Sequence, residues 1–170
     1  MPRITKPELI RGCQRVIELA TQYKPKDHHR EMGYDGLLFG FLDAKFGGMK
    51  RQHKIWIGKS RSPKRLDYRQ GGTRPVVIEF VVRTPGRNEI YGSQNGSEIG
   101  KLTRQRKAST RYLVLFDLSE EAPMDTKDLW QSYRKLNGGR GKFKRKPVQI
   151  IYVHPGFVDS YLWKPLKKKK

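Results

Sequence analysis

Two acidic residues stand where acid is least expected. Asp67 ends the basic segment Lys64-Arg65-Leu66-Asp67. Glu79 lies inside Val76-Val77-Ile78-Glu79-Phe80-Val81-Val82-Arg83, and Gly71-Gly72 separates the two segments. The chain has 37 Lys and Arg against 16 Asp and Glu, a formal net charge of +21. A carboxylate set among apolar strand residues of such a chain has some task other than solubility. Carboxylates on adjacent strands offer the hard oxygen ligands that Mg2+ or Mn2+ takes, and a divalent cation in a basic cleft is what phosphodiester hydrolysis requires. Asp67 and Glu79 are therefore the expected metal ligands. Each has a structural alternative. Asp67 could pair with Arg65 or Arg69 on a surface strand, at little energetic gain. Glutamate is rarely buried alone, so Glu79 could instead form a buried pair with Arg83 or Arg111.

Shared ligation needs neighbouring strands, and the pattern supplies them. Residues 64–70 and 75–83 read as strands joined at Gly71-Gly72, after a short strand at 54–58. Segment 75–83 is nearly continuously apolar, as a strand covered on both faces is. Upstream, residues 6–22 place Ile10, Cys13, Val16, Ile17, Leu19 and Ala20 at helical spacing, with Pro7 in the first turn. Residues 36–46 form a short apolar helix stopped by Gly47-Gly48. Downstream come a helix at 96–108, a buried strand at 111–118, a helix from Asp125 or Thr126 through Leu136, and a strand at 148–153. An aromatic segment at 157–163 is expected to pack back on the body. This order implies an α/β protein, a single domain with a central mixed β-sheet flanked by helices, over residues 1–163, with a basic tail at 164–170.

Composition narrows the partners. No apolar run approaches the roughly 20 residues that span a bilayer. The start, Met1 to Lys6, lacks the apolar stretch of a secretory signal, and the single cysteine, Cys13, excludes an intrachain disulfide. The four histidines show no zinc spacing. The expected location is cytoplasmic, with no membrane partner. An acidic membrane surface would suit Lys167 to Lys170, but basic residues also recur through 50–65, 101–111 and 134–146. That distribution suits a surface built around a polyanion, first of all double-stranded DNA. The expected nucleic-acid contacts are Lys64, Arg65, Arg104, Arg106, Lys107, Arg140, Lys142, Lys144 and Arg145, with Phe143 available to stack on a base. A solvated charge run is the plain alternative for 140–146. A homodimer or another protein partner is compatible with the same charge pattern.

The order of elements and the two acidic positions resemble the PD-(D/E)xK nuclease superfamily, the restriction-endonuclease-like fold, over roughly residues 6–153. In that family an Asp stands on the second strand of a meander and the motif (D/E)-x-K on the next. Asp67 matches the first acid, with Leu66 in place of the preceding Pro, and Glu79 matches the second. The resemblance implies a Mg2+- or Mn2+-dependent DNA endonuclease or nickase. It also implies a lysine two residues after Glu79, where this chain has Val81. Valine cannot hydrogen-bond water. Three basic residues could compensate. Arg83 shares a strand face with Glu79, Lys101 on the following helix could reach in, and Lys64 precedes Asp67. Asp67, Glu79, Arg83 and Lys101 are thus the expected catalytic set. If none compensates, the chain is a catalytically inactive DNA-binding subunit of a larger complex. An RNA-binding protein is a third reading, and it leaves Glu79 without a role.

Three other features have plain explanations. Asp117 fits a turn or helix cap. Glu98 fits a first-turn acid that complements the helix dipole, although it could add a third carboxylate to the site. Gly92-Ser93-Gln94-Asn95-Gly96-Ser97 could bind phosphate through free amides, or could simply be a loop and helix cap.

Overall fold

The computed structural model describes residues 2–23, 30–55, 64–83, 90–105, 107–119, 121–136 and 146–165. Ten elements follow one another: α1 (Lys6–Tyr23), α2 (Arg30–Phe46), β1 (Met49–Ile55), β2 (Lys64–Gln70), β3 (Val76–Arg83), α3 (Gly96–Thr103), β4 (Thr110–Asp117), α4 (Thr126–Arg134), β5 (Val148–His154) and β6 (Phe157–Trp163). The six strands form one sheet in chain order. β1, β2 and β3 are an antiparallel meander. β3, β4 and β5 run parallel, and β6 returns antiparallel to β5. The fold is α/β with a mixed sheet.

Helices cover both faces of the central strands, which explains their apolar sequences. One core joins α1 and α2 to Val76, Ile78, Phe80, Val82, Val114 and Phe116. The other joins α3 and α4 to Val77, Leu113, Leu115, Ile150 and Tyr152. Alternate residues of β3 and β4 therefore enter alternate cores, and no polar face is left. The two parallel crossovers share one hand, which sets α3 and α4 on the same side of the sheet.

Several boundaries differ from the sequence expectation; α4, for one, ends at Arg134 and not at Leu136. α2 begins at Arg30, six residues earlier than its apolar cluster, because Gly33 and Gly36 dilute the helical pattern there. The first described strand is Met49–Ile55, a mostly exposed and cationic element that has no apolar alternation to reveal it, and residues 56–58 of the expected strand lie outside the described residues. α3 stops at Thr103 and not at residue 108. Arg111 reaches back from β4, and its guanidinium donates to the carbonyls of Leu102 (3.0 Å), Ala108 (2.8 Å) and Gln105, so these carbonyls end in a side-chain cap instead of further helix. Finally, 157–163 is a strand. Pro155-Gly156 turns the chain, with Gly156 at φ 75°, and His154 pairs with Phe157 directly beyond it.

Candidate functional site

β2 and β3 pair only from Tyr68 to Gln70, opposite Ile78 to Val76. Continuing that register sets Asp67 opposite Glu79, at the point where the backbone ladder ends. A side chain replaces the ladder there. The Phe80 N–H donates to Asp67 Oδ2 at 2.8 Å, and Gln52 Nε2 donates to Asp67 Oδ1 at 3.3 Å. The two expected metal ligands are thus neighbours at the fork between two strands. Asp67 is half-buried and Glu79 is buried, 1% exposed.

α3 crosses this fork and supplies a cation. Lys101 Nζ lies 2.8 Å from Glu79 Oε2, forms an ion pair with Glu98 one turn earlier, and donates to the Arg65 carbonyl at 3.2 Å. Lys101 therefore stands where the side chain of Val81 offers no polar group. Val81 itself packs against the α3-facing core. Neither Arg83 nor Arg111 is the partner of Glu79.

The electrostatics follow from burial and charge. Burial pushes the Glu79 carboxyl up to about 10. The Asp67 charge acts in the same direction, and Lys101 offsets only part of the rise. Burial thus works against the charged form of Glu79, and the Lys101 ammonium works for it. Burial would also raise Glu98, but its hydrogen bond to Lys101 and the Lys101 charge outweigh this and hold it below the usual carboxylate value. Lys101 is raised, because Glu79 and Glu98 outweigh the opposing effect of its burial. Glu79 Oε1 is buried and accepts no hydrogen bond from any described residue. Glu98 Oε2, by contrast, is ion-paired with the Lys101 ammonium.

Arg83 is placed elsewhere. It lies across from Asp117 in the parallel β3–β4 register. Its guanidinium donates to Asp117 Oδ2 at 2.9 Å and to Ser119 Oγ at 3.1 Å, and also binds Glu121. Tyr152 Oη donates to the same Asp117 oxygen at 2.6 Å, and Asp117 Oδ1 accepts from the Ser119 N–H. Asp117 is thus the centre of a buried knot at the strand ends. Arg83→Ala is expected to leave it an uncompensated charge and to destabilise the protein by about 3–5 kcal/mol. Urea unfolding measures this, and a loss below about 1 kcal/mol would contradict the pairing.

Lys64 opens β2 as an exposed residue opposite Ile55, Arg65 is exposed beside it, and Arg104 and Lys107 are exposed at and beyond the end of α3. Arg106, Arg140, Lys142, Phe143, Lys144, Arg145 and the lysine tail lie outside the described residues. Three amides of the turn before α3, those of Gly92, Gln94 and Asn95, are used internally. Gln94 and Asn95 donate to the Tyr91 carbonyl, and the Gly92 N–H donates to Ser132 Oγ at 2.8 Å. The turn part of the turn-and-cap alternative is seen; the side-chain cap is not. Asn95 is the residue before the helix, but its side chain also bonds Tyr91 and makes no cap bond to α3.

Among the described residues, no three His, Cys, Asp or Glu side chains form a ready-made cation cage, and no helix is long and apolar enough to cross a membrane. No protein-family model and no curated protein matches the chain. Among solved structures, the crystal structure of SSO0001 is similar with 13% identity and a TM-score of 0.31, over 99% of this chain and 72% of that one. A likeness that distant assigns neither family nor function.

Proposed function

We propose that this chain is a divalent-metal-dependent phosphodiesterase acting on DNA, an endonuclease or nickase resembling the PD-(D/E)xK superfamily, with the motif lysine supplied by α3. One observation carries the reading. Lys101 meets Glu79 at 2.8 Å, and Asp67 accepts from the neighbouring Phe80 N–H, which supports a lysine from α3 serving beside two acids despite Val81.

The residues present fit a divalent cation. Glu79 Oε1 is a buried oxygen without a hydrogen-bond donor among the described residues. Asp67 and Glu79, with the Phe80 carbonyl, give an all-oxygen donor set, and Mg2+ is usually held by one or two carboxylates with water and substrate phosphate completing its shell. When bound, the ion supplies Lewis-acid charge at a phosphate and acidifies water. The chain's own residues do the rest. The Phe80 N–H fixes the Asp67 carboxylate. The Lys101 ammonium is poised to stabilise negative charge developing on the phosphoryl oxygens. Exposed Lys64, Arg65, Arg104 and Lys107 offer charge for the flanking backbone phosphates.

Val81 keeps a second reading alive, that of an inert DNA-binding subunit. Supercoiled plasmid incubated with Mg2+ or Mn2+ separates the two. Nicked or linear product that disappears with EDTA is expected. Duplex binding without cleavage under any divalent metal would instead establish the inert subunit. Tighter binding to structured RNA than to duplex DNA would favour an RNA-binding role.

A further inference from the structure

Lys50, His53 and Arg69 form a polar group on the sheet face that carries Glu79. Lys50 and Arg69 are paired across β1 and β2, and Arg69 lies opposite Val77 of β3. Val77 packs into the α3-facing core, and residues opposite each other share a face. Glu79 is two residues beyond Val77 on the same strand, so Arg69 and Glu79 face the same side. The β1 backbone turns at Gln52, the one described non-glycine residue with positive φ, at 51°. This turn brings His53 to the pair. Burial first, then the charges of Arg69 and Lys50, lowers the proton affinity of its imidazole.

Among the described residues, no carboxylate pairs with this group. Among the described residues, the side chains of Lys50, His53 and Arg69 make no hydrogen bond or ion pair. The nearest acid along β2 is Asp67, whose two oxygens accept from Gln52 and Phe80. Two cations beside an imidazole with no counter-charge repel one another, and a phosphate relieves that repulsion. The spacing also suits a nucleic-acid strand. Arg69 is two residues from Asp67, about 7 Å along the strand. Phosphates on one strand fall about every 3.4 Å of helix axis, so a phosphate at Arg69 belongs to a nucleotide next to, or one removed from, the phosphate at Asp67.

We propose that Lys50, His53 and Arg69 form a subsite for a backbone phosphate flanking the one held at Asp67 and Glu79. This rests on the proposed function, since it assumes a polynucleotide lies across the fork. It adds a register: the strand runs over the β1–β2 ribbon and not only along α3.

Fluorescence anisotropy with a labelled duplex in EDTA, over a range of salt concentrations, tests it without need of cleavage. Duplexes of DNA and RNA are titrated side by side. The Lys50→Ala/Arg69→Ala double variant is expected to lose affinity about tenfold or more at low salt, and to reduce the log–log salt slope by about 2, in whichever duplex binds tighter. Arg11→Ala, exposed on α1 across the sheet, is expected to change neither. Arg69→Gln with Lys50→Gln keeps the stems packed if the alanine variant melts early. Wild-type binding with an unchanged slope in both double variants overturns the subsite and leaves the proposed function standing. Failure of the wild type to bind either duplex overturns both.

Discussion

Asp67→Ala and Glu79→Ala are each expected to abolish metal-dependent plasmid cleavage, a loss of about 10³-fold or more, while duplex affinity stays within a few-fold of wild type. The size of the loss follows from position. Either change removes one of the two carboxylates at the fork, and a transition-state charge left unstabilised costs a factor of ten for each 1.36 kcal/mol. Binding is spared because phosphate attraction comes from the cations around the fork, and deleting a carboxylate cannot weaken it. Lys101→Ala should fall between these extremes, by about 10²–10³-fold, since it removes charge stabilisation but leaves both ligands. Cleavage that survives Glu79→Ala would place any active centre elsewhere.

Glu79→Gln is expected to stabilise the cation-free protein, and increasingly so as pH rises. Burial raises the Glu79 carboxyl to about 10 in the folded chain, against an ordinary value of 4.5. A group raised on folding contributes fully below its unfolded value, and its contribution is lost as pH climbs through the folded one. Between these limits the wild type loses up to about 1.4 kcal/mol per pH unit through this residue. A neutral amide carries no such dependence. For a domain of this size, about 2–4 °C accompanies each kcal/mol, so the melting-temperature difference should widen by about 3–5 °C per pH unit in EDTA. Saturating Mg2+ or Mn2+ should reverse the order, because only the carboxylate gains from the ion. A difference that stays constant from pH 5.5 to 8.5 would contradict a Glu79 carboxyl raised by burial.

The sequence revealed the strands best where two cores demand apolar residues on both sides. β3 and β4 were legible to within one residue, and segment 64–70, though largely polar, was bounded by the turn at Gly71-Gly72. Glu79 was visible as a candidate for the same reason, since a charge inside such a strand must find a partner. The identity of that partner was only partly legible. Arg83, Arg111, Lys101 and Lys64 were all available by spacing. The choice depends on where α3 crosses the sheet and on which arginines the far end of the fold consumes. Asp117 captures Arg83 through the parallel β3–β4 register, and Arg111 is spent on the carbonyls that end α3. The first event is long-range and the second spans a non-repeating turn, so no local period encodes either. β1 and β6 were obscure for a different reason. They are the sheet edges, where polar and half-exposed residues replace the apolar alternation that marks a strand. The Lys50–His53–Arg69 group was hidden with them, because the turn at Gln52 is a backbone property without a motif.

Mn2+ binding is the measurement closest to the central claim that Asp67 and Glu79 share a divalent ion at the fork between β2 and β3. Crystals soaked in Mn2+ and measured for anomalous scattering should show one peak between the two side chains, within bonding distance of both, and Asp67→Asn should abolish it. No peak at the fork under saturating Mn2+, with the Glu79–Lys101 pair undisturbed, would contradict the account.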